Sequence, residues 1–278
     1  MAYKTILTIL TDPAQTPQLD AAAQLAVRED AHLEVLCLGI DLSQPGYFFP
    51  GGTAYMLQDA IDSALADAET LEKAVRARLA PASDLRWSVD SAVAQSGGIP
   101  ALVGLRARFA DLTVLVSPYA KGQPPEAEII AEAALFEGGC PVLVLPHAEI
   151  PANLRRVLVA WNQSAEALAA IRRALPLLRA ADRVEVTCID PRRTSPERSD
   201  PGGSLTQMLV RHGVRAEIAV LARTAPTISD ELNRRAVEIG ADLIVMGAYG
   251  HSRFRQAILG GATRNMLEKS AVPVLMAR

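Results

Sequence analysis

Aromatic side chains are scarce in this chain: phenylalanine, tryptophan and tyrosine together make up 4% of its 278 residues. A core must therefore come mostly from aliphatic residues and alanine. Cysteine is rarer, with only Cys37, Cys140 and Cys188. No two of them form a C-x-x-C pair and no histidine stands near them at ligand spacing, which argues against a zinc ribbon or a dithiol redox centre. Each lies in an apolar run, where cysteine acts as a small buried hydrophobe. The four histidines are scattered, so no metal centre is expected. A strong excess of one charge sign is missing too. Twenty-eight basic and 31 acidic residues leave a net charge of −3, which suggests no nucleic-acid partner. No apolar run approaches the roughly 20 residues that span a membrane. The opening MAYKTILTIL turns polar at Thr11-Asp12-Pro13 and reads as a strand rather than a signal peptide. A cytoplasmic protein with no membrane partner is the expectation.

What the chain does have is aliphatic bulk and repetition. Half of its residues are hydrophobic and 21% are charged, as in a well-packed globular protein, and its length suits about two domains. Ile6-Leu7 matches Val157-Leu158, and Glu34-Val35-Leu36-Cys37 matches Glu185-Val186-Thr187-Cys188. Ala110-Asp111-Leu112 returns as Ala241-Asp242-Leu243, and Cys140-Pro141-Val142-Leu143 as Val272-Pro273-Val274-Leu275. Each half reads as strands alternating with helices. The expectation is an α/β protein of two tandem doubly wound, mostly parallel five-stranded sheets, at residues 1–147 and 153–278. The Pro-containing stretch Pro146–Arg156 joins them.

The first half predicts strands at Thr5–Leu10, Leu33–Ile40, Leu85–Val89 and Leu112–Val116. Its helices are expected near Pro17–Arg28, Leu57–Leu79, Ile99–Phe109 and Ala127–Phe136. Residues 41–56 hold Tyr47, Phe48, Phe49 and Tyr55 and read as a flap over the protein's own core or against the other half, with a lid or partner surface as the alternative. The second half predicts strands at Val157–Ala160, Val184–Ile189 and Val214–Leu221, with a short helix at Leu205–Arg211. Ser164 reads as a helix N-cap and Thr227 with Asp230 as a capping box. Trp161 reads as packing under a crevice, or as a stacking surface for a base.

The last stretch, Ala241–Arg278, carries the chemistry. A buried strand at Leu243–Met246 leads into a loop holding Gly247, Gly250, Gly260 and Gly261; a helix at Thr263–Lys269 and a strand at Val272–Met276 follow. Glycines admit a phosphate close to the backbone, and the helix start behind them presents free N–H groups and the positive end of its dipole. A plain turn into a helix explains the same glycines equally well. Gly247-x2-Gly250-x9-Gly260, with the flanking DLIVMG and VPVLMAR, resembles the signature of the universal stress protein family.

That resemblance implies ATP or another adenine nucleotide as ligand, with Mg²⁺ left open, and no catalytic residue. It assigns Gly247, Gly250, His251, Arg253, Gly260, Gly261, Ala262 and Thr263 to the nucleotide. Asn162, in place of the family's acidic residue, and Asp190 join them from the ends of the first two strands. One position departs from the pattern: Gly261 stands where the ATP-binding members usually have Ser or Thr, and Thr263 is the nearest hydroxyl. The first half reads Ser117-Pro118-Tyr119 after its fourth strand, so one nucleotide site per chain is expected. The resemblance also implies that Val142–Leu145 pairs with Val274–Met276 inside the chain, and it allows a homodimer. A signalling or scaffold protein needing no nucleotide is the alternative, and an ATP-hydrolysing enzyme is a more distant one. There is no Walker lysine, and one unpaired His251 makes a weak general base.

Overall fold

The computed structural model describes residues 2–41, 53–147, 149–151, 153–191, 199–248 and 261–278. In the first half the strands are Thr5–Leu10 (β1), His32–Asp41 (β2), Arg86–Gln95 (β3), Leu112–Val116 (β4) and Val142–Leu145 (β5). Between them run the helices Thr16–Glu29 (α1), Thr53–Leu79 (α2), Ile99–Ala107 (α3) and Ala127–Phe136 (α4). The second half contributes strands Arg156–Ala160 (β6), Arg183–Ile189 (β7), Ala216–Leu221 (β8), Leu243–Gly247 (β9) and Val274–Ala277 (β10). Its helices are Ala165–Arg173 (α5), Leu175–Ala180 (α6), Gly203–Arg211 (α7), Ile228–Ile239 (α8) and Gly261–Lys269 (α9). The ten strands form one mostly parallel sheet, in the order β3-β2-β1-β4-β5-β10-β9-β6-β7-β8.

The chain divides into two compact units. One holds Ala2–Leu115 and Lys121–Cys140. Here β1 pairs in parallel with both β2 and β4. β4 is buried along its whole length, as a central parallel strand covered on both faces requires. The α1 segment is entered through a capping box, in which Asp12 accepts from the Ala14 N–H at 2.7 Å and Gln15 accepts from the Asp12 N–H at 3.1 Å. All three cysteines of the chain are buried.

The other unit holds Pro141–Arg278 together with Val116–Ala120. β6 is flanked by β7 on one side and β9 on the other, both parallel to it. β10 pairs in parallel with β9 and antiparallel with β5, matching Val274, Leu275 and Met276 to Val144, Leu143 and Val142. The expected pairing of these two strands is therefore present.

The repeated Ala-Asp-Leu has a physical reason in each unit. Asp111 accepts hydrogen bonds from the backbone N–H groups of Lys4, at 2.8 Å, and Thr5, at 3.1 Å. Asp242 accepts from those of Arg155 and Arg156, both at 2.9 Å. Each carboxylate thus ties the entry of its half's first strand, β1 or β6, to the strand that starts one residue after it.

Several boundaries differ from the sequence expectation. β3 runs on to Gln95, because it pairs residue by residue with β2 as far as Asp41. Its polar, half-exposed pattern conceals that length. β8 begins at Ala216 rather than Val214, since the Val214 N–H still closes α7 by donating to the Leu209 carbonyl. α9 begins two residues early, at Gly261. The aromatic stretch read as a flap falls largely on residues 42–52, outside the described residues.

Candidate functional site

The second-half unit has one place where the winding direction of the sheet reverses. From β6 the chain passes to β7 on one side, while the later strand β9 lies on the other. In open α/β sheets the crevice beyond the carboxyl ends of two such strands is where ligands bind, because the two connecting loops diverge there.

At the end of β6, Asn162 is exposed and its Oδ1 accepts from the Ser164 N–H at 3.1 Å, forming an Asx turn. Gln163 takes a positive φ of 64° within that turn. Ser164 then caps α5, accepting from the Ala167 N–H at 3.1 Å, as its sequence position suggests. Among the described residues the Asn162 amide nitrogen donates to nothing. Trp161 is half-buried. Its Nε1 is buried without a partner among the described residues, and its ring lies against the chain at Gly202, where a Cβ would come within 3.5 Å of Cδ1. That is the packing role.

Gly247 closes β9. A Cβ there would stand 2.5 Å from the Ala167 nitrogen and 2.7 Å from the Glu166 carbonyl carbon. The strand end and the first turn of α5 are thus in backbone contact, and only glycine fits between them. Gly250, His251, Arg253 and Gly260 lie outside the described residues.

At the start of α9, Gly261 and Ala262 are exposed, and a Cβ at Gly261 would meet nothing within 4 Å. Thr263 is different: it is buried, at 4% exposure, on the face that also buries Met266 and Leu267. Its hydroxyl is therefore a poor substitute for the Ser or Thr expected at position 261. Asp190, at the end of β7, is exposed, with a positive φ of 43°. Its Oδ1 accepts from the Arg223 N–H at 3.2 Å, so the carboxylate already spans to the end of β8. The structure brings Asn162 and Gly247 to the ends of adjacent strands, whereas Asp190 stands on the far side of β6.

Sequence reasoning missed a contact with α9. The first-half residues Ser117–Ala120 form a turn, with the Ala120 N–H donating to the Ser117 carbonyl at 3.0 Å and Pro118 at the second position that favours it. The Ser117 hydroxyl donates to the Leu267 carbonyl, and the Arg264 guanidinium lies 5.2 Å from the centroid of the Tyr119 ring. Nothing local in the sequence signals a bond that joins residues 150 apart.

Away from the crevice, two carboxylates brace α8. Glu185 is held by Arg235 through two bonds of 2.8 and 2.7 Å and by the Thr187 hydroxyl. Glu231 accepts from the N–H groups of Thr224 and Ala225, at 3.0 and 2.9 Å, and pairs with Arg234. Thr227 caps the same helix, as expected. Among the described residues, no group of three or more His, Cys, Asp or Glu side chains is placed to hold a metal ion. No helix there is long and apolar enough to cross a membrane.

Comparison with known proteins agrees with this architecture. Residues 153–278 match the model of the universal stress protein family. A universal stress protein of Synechocystis sp. is 33% identical over 76 residues, 27% of this chain and 25% of that protein. Another, of Methanocaldococcus jannaschii, is 35% identical over 49 residues, 18% of this chain and 30% of that one. The chain thus matches under a third of either curated relative. At the level of fold, the crystal structure of a universal stress protein from Archaeoglobus fulgidus superposes with a TM-score of 0.68 at 15% identity. The match covers 99% of this chain and 98% of that one. Residues 153–278 thus form a domain similar to the universal stress protein family, in a chain whose two halves repeat one α/β plan.

Proposed function

We propose that the second half binds one adenine nucleotide at the carboxyl ends of β6 and β9. The observation that carries this reading is the coincidence of the G-x2-G-x9-G signature with the reversal point of the sheet: its first glycine ends β9, and the exposed start of α9 follows its last. Free N–H groups at a helix start, together with the helix dipole, suit a phosphate. The uncommitted N–H groups of Asn162 suit a ribose hydroxyl or an adenine ring nitrogen, since an amide can donate as well as accept. Gly250, Gly260, His251 and Arg253 would complete the phosphate side. Mg²⁺ would be brought by the nucleotide, and the site serves binding rather than turnover.

The burial of Thr263 and the glycine at 261 favour a ligand with fewer phosphates than ATP, or the nucleotide-independent scaffold role. Equilibrium titration with ATP, ADP and AMP, each with and without Mg²⁺, decides among these. One site per chain is expected. A flat titration at millimolar nucleotide leaves the scaffold reading. Steady ATP hydrolysis near an ordinary enzyme rate of about 1 s⁻¹ would show that the site is catalytic.

A further inference from the structure

The helix α9 is gripped from a distance, and its grip comes from the residues that stand where the first half would keep a glycine loop. The last four carbonyls of a helix lack partners within it. Leu267 is one of these in α9, and the Ser117 hydroxyl supplies the missing donor from a buried position, at 5% exposure. Ser117 is itself anchored, because its backbone N–H donates to the Leu145 carbonyl at the end of β5 at 2.8 Å. One turn nearer the start of the helix, Arg264 lies over the Tyr119 ring while its Nε donates to Glu268 at 2.7 Å. Residues three apart share a helix face, so Arg264 and Leu267 present both contacts to the same turn.

We propose that Ser117 and Tyr119 are positioning residues for the phosphate end of the nucleotide site. They fix the axis of α9, and with it the aim of the N–H groups at Gly261 and Ala262. The inference rests on the nucleotide reading above. Neither residue touches the ligand. A segment of the first half has exchanged a binding loop for a clamp on the second half's binding helix. The chemistry suits that exchange: Pro118 removes a backbone donor that an anion site would use but favours the tight turn that points Ser117 and Tyr119 at the helix. A cation in the first turns of a helix is normally opposed by the dipole, and here the ring face and Glu268 offset that opposition.

The test compares nucleotide affinity in the full chain with Ser117→Ala, Tyr119→Leu and Tyr119→Phe. Melting curves and hydrogen exchange of the α9 amides are recorded on the same samples. Tyr119→Leu and Ser117→Ala are each expected to raise the Kd roughly three- to tenfold and to speed exchange across α9. Tyr119→Phe keeps the ring face and should weaken binding and speed exchange less than Tyr119→Leu does. Wild-type binding that is unchanged in Tyr119→Leu and Ser117→Ala overturns the clamp and leaves the nucleotide site standing. Equal weakening by Phe and Leu overturns the ring's role. If Tyr119→Leu melts too early to titrate, Ser117→Ala and the exchange of α9 decide the matter. Failure of the wild type to bind any nucleotide overturns the site and the clamp together.

Discussion

Replacing Gly247 by alanine would set a methyl carbon 2.5 Å from the Ala167 nitrogen and 2.7 Å from the Glu166 carbonyl carbon. Favourable contact between such atoms begins near 3.5 Å, so the end of β9 or the first turn of α5 must retreat by about 1 Å. Both neighbours are backbone, and neither can rotate away as a side-chain tip can. Overpacking of this kind costs about 1–3 kcal/mol. At about 2–4 °C per kcal/mol for chains of this order, the melting midpoint should fall by roughly 2–12 °C. The displaced turn begins at Ser164, whose N–H is held by Asn162, so the adenine side of the proposed site should shift with it. The assay is thermal melting without ligand, followed by titration of the variant well below its midpoint. Unchanged melting would refute the packing argument outright. Unchanged melting with lost binding would mean that position 247 is needed against the ligand rather than against α5.

Gly261→Ser tests the opposite case, because a Cβ there meets open space. Stability should stay within about 0.5 kcal/mol, and the restored hydroxyl should tighten nucleotide binding by up to about tenfold, read by titration. Acid should unfold the second half through Glu185 and Glu231, both held below the usual carboxylate range. Burial pushes Glu185 upward, but the hydrogen bonds from Arg235 and Thr187 outweigh it. The N–H groups of Ala225 and Thr224 lower Glu231 against its burial, helped by Arg234. Depressed folded values mean that this stabilisation is complete above the ordinary carboxylate range, near pH 4–5, and is lost as pH falls through the lower folded values. Circular dichroism against pH should show a shallower acid limb for Glu185→Gln.

The strands were legible because their apolar runs are short, buried and bounded by turn residues. β1, β4 and α4 begin and end where the sequence places them. The pairing of β5 with β10 was legible only through the family resemblance. β3 was read short because a half-exposed strand looks polar, and its full length is imposed by pairing with β2. Within the site, glycine spacing pointed to the loop but could not show that Gly247 is also required by α5. Nor could it show that Thr263 turns inward. Those facts depend on which face of a helix meets which strand. The clamp on α9 is a long-range contact between unlike residues, and no local pattern encodes it.

The antiparallel rungs between β5 and β10 have one more consequence. Leu143 faces Leu275, and these two leucines occupy the same place in the internal repeat. Residues that face each other at the centre of an antiparallel pair are related by a local two-fold axis of those two strands. In an assembly of identical subunits such an axis forces every change to appear twice, so a residue harmful on one side cannot be kept for its benefit on the other. Joining the two copies in one polypeptide removes that obligation while keeping the rung. One copy carries a 27-residue helix where the other carries a nine-residue one. One kept the glycine signature, and the other was free to become Ser-Pro-Tyr. The division of labour in this chain is what two copies in one polypeptide permit and a dimer of identical subunits forbids.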